Sequence, residues 1–155
     1  MVLASAPMRI ALCSDEPYPV HRVIESELVR RGHEVVRFGA VASGHDEPWA
    51  DVAEQAALAV ARGDCDEGVL CCWTGTGISI AANKVAGIRA ALVGDPGTAA
   101  GARIYNQANV LCLSNRTLSD DMAKEILASW FDTVADDRGA AGVARLAEVD
   151  ARHRR

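Results

Sequence analysis

The chain has 155 residues and a formal net charge of −5, with half of its residues hydrophobic and 24% charged. That is the length of one ordinary domain with enough apolar material for a proper core, so neither disorder nor a disulfide scaffold is required. The acidic balance argues against a general nucleic-acid binder, while a few local arginines could still hold an anionic small molecule. No apolar run approaches the roughly 20 residues of a membrane span. Met1–Met8 lacks the positive charge and apolar core of a secretory signal and reads as a ragged end before the first strand.

In chain order, the apolar run Arg9–Cys13 reads as a strand. Val20–Arg31 reads as a helix, with apolar residues at Val20, Val23, Ile24 and Leu28, stopped by Gly32. His33–Phe38 is a second strand, and Gly39–Asp46 reads as a loop of small and polar residues. Pro48 suits the start of a helix over Trp49–Arg62, which Gly63 ends. Gly68–Cys72 is nearly continuous in apolar residues, as a strand buried on both faces should be. A glycine-rich turn follows, then a helix over Ile78–Val85, a strand over Arg89–Val93, a helix over Thr98–Tyr105 and a strand over Asn109–Leu113. Ser119 caps a helix from Asp120 to about Phe131. The remainder is rich in Ala and Arg, with helical spacing at Val143, Leu146 and Val149.

Five strands alternating with helices predict an α/β fold with a parallel sheet covered on both faces. The chain reads as a single domain over 1–155, with a core at 8–132 and a tail at 133–155. The tail helix either packs across a second subunit or lies in solvent; the residues alone fit both.

The five cysteines, Cys13, Cys65, Cys71, Cys72 and Cys112, fall mostly in strand-like runs. An odd number so placed predicts reduced thiols in a cytoplasmic protein. Cys71 and Cys72 are neighbours on one strand and point to opposite faces, and no CxxC or HxxxH partner exists, so no metal site is expected.

In an open parallel sheet, sites form beyond the carboxyl ends of the strands. The segments there are Ser14–Glu16, Cys72–Gly77, Gly94–Pro96 and Ser114–Arg116. Gly75 and Gly77 let the backbone turn tightly and aim successive N–H groups at one point, beside the positive end of the next helix. Such a nest holds an oxyanion or a phosphate, or is simply a structural turn. It is neither a dinucleotide fingerprint, since Ile80 stands where the third glycine would be, nor a P-loop. Cys72 ends its strand just before the nest, where backbone dipoles favour a thiolate. A thiolate base beside an oxyanion nest suits abstraction of a proton α to a carbonyl. The other reading is a buried, inert cysteine, and that reading is expected to hold for Cys13, Cys71 and Cys112. Asp15 could hold a hydroxyl or cap a helix, and Arg116 could meet an anion or lie in solvent. His21, His33, His45 and His153 fall away from predicted strand ends and receive no catalytic role. Trp49 and Trp130 read as core or interface.

The run CWTGTGISIAANK from Cys72 to Lys84, with GIRAAL from Gly87 to Leu92, resembles the type B ribose-5-phosphate and galactose-6-phosphate isomerase family. The stretches Met8–Asp15, Gly32–Gly39 and Asn109–Arg116 resemble it too, so that the likeness runs from about Met8 to Phe131. It implies a Rossmann-like three-layer α/β/α fold with a C-terminal tail helix, and a homodimer, with pairing into tetramers left open. The active site would lie between subunits and take a small sugar phosphate without a cofactor or metal, and with no nucleic acid or membrane partner. Isomerisation would pass through a cis-enediolate. By position Cys72 would be the base and Trp73, Thr74, Gly75, Thr76 and Gly77 the anion hole. Asp15 and Asn106 would touch sugar hydroxyls. Arg116 would contact the phosphate, helped by arginines of the tail.

Several positions depart from the family. Glu16 stands where a histidine is usual, Trp73 where glycine is usual, and Tyr105 where a ring-opening histidine is usual. The usual arginine pair, about four residues apart, is represented by the more widely spaced Arg138 and Arg145. The tail from Asp137 to Arg152 is similar to that of tetrose-phosphate isomerases acting on D-erythrulose 4-phosphate, an open-chain sugar that needs no ring-opening base. A pentose phosphate and a tetrose phosphate stand as equal expectations. The alternatives are a family member that binds a sugar phosphate or anion without catalysis, and an isomerase of an unusual sugar.

Overall fold

The computed structural model describes residues 6–154. The ragged start expected at Met1–Met8 therefore lies, for residues 1–5, outside the described residues. Five strands form one sheet: β1 (Arg9–Ser14), β2 (Glu34–Gly39), β3 (Glu67–Cys72), β4 (Ala90–Leu92) and β5 (Val110–Ser114). All pairings are parallel, in the order β2-β1-β3-β5-β4. The central strand β3 is buried at every position, which is why its sequence shows no polar alternation.

The helices are α1 (Val20–Arg30), α2 (Ala40–Ser43), α3 (Trp49–Ala61), α4 (Thr76–Ala82), α5 (Pro96–Asn106), α6 (Asp120–Asp132) and α7 (Ala140–His153). Alternating strand side chains sort the core into two layers. Ile10, Leu12, Val69, Cys71, Leu111 and Leu113 pack with α1, α5 and α6, whereas Ala11, Cys13, Leu70, Cys72 and Cys112 pack with α3 and α4. This is the expected three-layer α/β/α arrangement.

Several boundaries differ from expectation: α4 ends at Ala82 rather than Val85, α5 starts at Pro96 rather than Thr98, and β4 is shorter than Arg89–Val93 at both ends. The stretch read as a loop contains α2, a single turn opened by Gly39 at φ +59. Helix α4 starts at Thr76 rather than Ile78, because Gly75 at φ +79 turns the chain directly into it. Trp130 is fully buried, and its indole N–H donates to Glu67 Oε1 at 2.8 Å. The other Glu67 oxygen accepts from Arg103 Nη2 at 2.8 Å, so this carboxylate is both buried and satisfied. Trp49 is instead half exposed and lies over Gly77.

The tail begins with a 3-10 turn at Asp137–Gly139. Gly139 sits so tightly on the carbonyls of Ile104 and Tyr105 that no side chain would fit there. Helix α7 follows with no buried residue. Between it and the segment that leads into β4 lies a cavity of about 600 Å³, lined in part by Ile88, Ala90, Val143, Leu146 and Ala147. Among the described residues no helix is long and apolar enough to cross a membrane.

Candidate active site

Parallel pairing in register puts the residues after β1, β3 and β5 side by side. Ser14 pairs with Cys71, and Cys72 with Ser114, so that Asp15 and Cys72 sit on neighbouring strands about 4.8 Å apart. By alternation they share the face covered by α3 and α4. Cys72 is 5% exposed, Asp15 8%. Asp15 Oδ1 is buried and has no hydrogen-bond partner within the chain. Burial, and next the charge of Glu16, push the Asp15 carboxyl above its ordinary value. An unpaired buried oxygen of this kind is costly and is placed to accept a hydroxyl.

Backbone contacts fix the loop after Cys72. The Trp73 carbonyl accepts from the Arg116 N–H at 3.1 Å and from the Ser114 hydroxyl at 2.9 Å, and the Cys72 carbonyl accepts from the Asn115 N–H. Thr74 Oγ1 lies 2.7 Å from Thr76 Oγ1 and accepts from the Thr76 N–H. At the start of α4, Gly77 and Ile78 have no intrahelical acceptor for their N–H groups. Gly75 is required by more than its φ: a Cβ there would stand 2.6 Å from Leu92 Cδ1 and 3.0 Å from the Leu113 carbonyl. The glycine turn thus clamps to the end of β5 and leaves its open amides beside Cys72.

The other cysteines of the sheet behave as expected. Burial pushes the Cys112 thiol up to about 12 and raises Cys13 and Cys71 well above the ordinary range. These thiols stay protonated at neutral pH.

Sequence reasoning missed His21. It is buried, accepts from the Tyr18 N–H at Nδ1 over 3.3 Å, and lies 2.8 Å from Asn115 Oδ1 at Nε2. With Nδ1 accepting, the ring proton is on Nε2 and donates to Asn115. Burial holds the imidazole below its ordinary pKa and therefore neutral. Asn115 Nδ2 in turn donates to Ser14 Oγ at 3.2 Å, and Ser14 Oγ to the Glu16 carbonyl at 2.7 Å. The network ties α1 to the ends of β1 and β5. Tyr18, also unassigned from sequence, lies against Trp73 with ring centroids 5.9 Å apart and donates its hydroxyl to Glu16 Oε2 at 3.0 Å.

The remaining expected residues lie elsewhere. Helix α5 starts beyond the carboxyl end of β4 and ends at Asn106, shortly before β5 begins. Tyr105 and Asn106, both exposed, therefore sit at the amino end of the sheet. Arg138 joins them there: its guanidinium lies 5.8 Å from the Tyr105 ring centre and pairs with Asp136 at 2.6 Å. Arg145 lies along α7, pairs with Glu148 and meets neither group. The length of β5 alone separates Tyr105 from Cys72 by about 13 Å. The expected site residues thus fall at opposite ends of the sheet, Asp15, Glu16, Cys72–Gly77 and Arg116 at one end and Tyr105, Asn106 and Arg138 at the other. Among the described residues no group of three or more His, Cys, Asp or Glu side chains is arranged to hold a metal ion.

The geometry can be set beside known proteins. The family model described as Ribose/Galactose Isomerase matches residues 10–149. Ribose-5-phosphate isomerase B from Escherichia coli (strain K12) is 42% identical over 118 residues, covering 76% of this chain and 78% of that protein. A D-erythrulose-4-phosphate isomerase from Pectobacterium atrosepticum is 37% identical over 118 residues, with the same two coverages of 76% and 78%. The solved structure of ribose-5-phosphate isomerase B from Clostridium thermocellum superposes with a TM-score of 0.88 at 37% identity, covering 95% of this chain and all of that one.

Proposed function

The chain belongs to the ribose/galactose isomerase family, and from that premise we propose that it interconverts aldose and ketose sugar phosphates with Cys72 as the base. The observation that carries the reading is the juxtaposition of Cys72, the open amides at the start of α4 and the unpartnered oxygen of Asp15. The Cys72 thiolate takes the proton from the carbon next to the carbonyl, and the electron pair moves onto the carbonyl oxygen to give a cis-enediolate. The amides of the glycine turn hold that oxygen as its charge grows. Thr74 carries a proton between the two oxygens, and Tyr105 opens a ring-closed substrate as an acid, a step that an open-chain sugar does not need. The thiol then returns its proton to the neighbouring carbon, which completes the isomerisation and regenerates the base. Asp15 and Asn106 accept or donate to sugar hydroxyls, and Arg116 with Arg138 holds the phosphate.

Because Tyr105, Asn106 and Arg138 lie at the wrong end of the sheet to reach their own Cys72, the reading requires a homodimer. In it each cleft takes Cys72 from one protomer and the second half-site from its partner. The apolar stripe of α7 and the cavity beneath it supply a surface for that contact. Five free cysteines support a place in the reducing cytoplasm.

Replacing Cys72 by Ala tests the reading. Turnover, followed as solvent-deuterium incorporation into D-ribose 5-phosphate and D-erythrulose 4-phosphate, should fall by about 10²–10⁴-fold, the usual worth of a positioned base. Binding, read as ligand-induced thermal stabilisation, should remain. Full activity in this variant would remove Cys72 from the mechanism; binding without exchange in the unmodified protein would make the chain a sugar-phosphate binder.

A further inference from the structure

We propose that Trp73, braced by Tyr18 and Glu16, forms a rigid wall across the cleft that selects a four-carbon sugar phosphate over longer ones. The proposal rests on the isomerase reading and adds the substrate's length to it. Three observations carry it. First, Trp73 directly follows Cys72 at the carboxyl end of β3, and its indole is half exposed there rather than packed in the core. Second, Trp73 and Tyr18 come from the ends of adjacent strands, β3 and β1, and their rings meet at 5.9 Å with planes 30° apart. The pair therefore spans the mouth between those strands, where reacting carbons above Cys72 would otherwise extend.

Third, Tyr18 is held in place and backs the Trp73 ring. Tyr18 lies between Pro17 and Pro19, whose rings fix their own φ and restrict the residue before each of them. Its hydroxyl is held by Glu16 at 3.0 Å and its backbone N–H by His21. The His21 ring also meets the Tyr18 ring edge-on at 6.1 Å, and His21 is itself fixed by Asn115. On the other strand, the Trp73 backbone is anchored through its carbonyl to Arg116 and Ser114. With Tyr18 fixed behind it and its own backbone anchored, the Trp73 indole has little room to move towards β1, so an extra carbon on that side meets it.

Charge adds a direction. Asp15, Glu16, Asp46 and Glu47 all belong to the loops on the β1 side, where Glu47 is joined to Asp15 through the backbone at 2.8 Å. A phosphate is repelled there and is driven towards Arg116 on the β5 side. Pinned at that end and stopped by the wall at the other, the sugar has a limited length.

The test compares kcat/KM for D-erythrulose 4-phosphate and D-ribose 5-phosphate in the full chain and in Trp73→Gly and Tyr18→Leu, with thermal stabilisation by each sugar phosphate measured in parallel. The unmodified protein should prefer the four-carbon substrate. Trp73→Gly should shift the ratio towards the five-carbon one by about tenfold or more, the usual scale for one carbon in a fitted pocket. Tyr18→Leu, which acts through Trp73, should shift it less but in the same direction, and Trp73→Gly should gain stabilisation by the pentose phosphate. An unchanged ratio, a preference for ribose 5-phosphate in the unmodified protein, or an equal loss with both substrates would overturn the wall; equal loss would make Trp73 a stacking platform. If no protein exchanges deuterium the isomerase reading fails, and the stabilisation measurements alone then decide whether the wall discriminates by length.

Discussion

Asp15 shows how a single buried carboxylate can cost stability while leaving an oxygen open. Its pKa is raised in the folded chain, chiefly by burial. Below the unfolded value of about 3.9 it is neutral in both states and costs nothing. As the pH rises through the folded value, the unfolded chain ionises more readily, and stability is lost. Asp15→Asn should therefore melt close to the unmodified protein in acid and above it at pH 7, a gap that thermal denaturation at the two pH values would reveal. His21 has the opposite sign: its pKa is lowered by burial, so its contribution is present above about pH 6.5 and declines as the pH falls. The sequence could not disclose that histidine's place, because its partner Asn115 is 94 residues away and no local pattern records such a contact. Asp15 and Cys72 were legible because the carboxyl ends of parallel strands are where ligands meet this architecture.

At the scale of elements, the strands were readable for a physical reason. Both faces of β1, β3 and β5 are covered, so their sequences are nearly continuous apolar runs, and the amphipathic α1, α3 and α6 stand out between them. Helix α2 is too short, at four residues, to show any period. The start of α4 was obscured because Thr76 and Gly77 read as loop residues, whereas the positive φ of Gly75 permits the helix to begin at once. That glycine joins a turn, a helix and the end of β5. Gly75→Ala places an L side chain at φ +79 against Leu92 and the Leu113 carbonyl. It should destabilise the chain by about 1–3 kcal/mol from the backbone alone and lower turnover further by opening the clamp on the amides. Chemical denaturation and the exchange assay together would show both effects.

Over the whole molecule, the proposed division of the site between two chains can be tested directly. Within the proposed dimer, a chain carrying Cys72→Ala and a chain carrying Arg138→Ala each damage a different contribution. Neither variant alone should be fully active. Mixed and reassociated in equal amounts, they should yield pairs in which one cleft has both an intact Cys72 and an intact Arg138. Random two-fold pairing then restores about a quarter of the unmodified activity; no recovery on mixing, with mixed pairs verified by mass spectrometry, would place the whole site in one protomer. The dimer was suggested by family resemblance and by the unpartnered stripe of the tail. The place of Tyr105 at the far end of the sheet follows from the predicted order itself, since a helix that leads into a strand of a parallel sheet ends at the amino edge; what the residues alone do not show is which partner would cover it.

Gly139, lodged on the carbonyls of Ile104 and Tyr105, gives this arrangement a further property. It couples the start of the tail to the last turn of α5, so in the proposed dimer Arg138 and Tyr105 would travel as one piece when two chains come together. A newly made solitary chain would carry that piece idle, and catalysis would begin only on encounter. At high dilution, output per chain would then decline with concentration, and the protein's abundance would act as its own throttle.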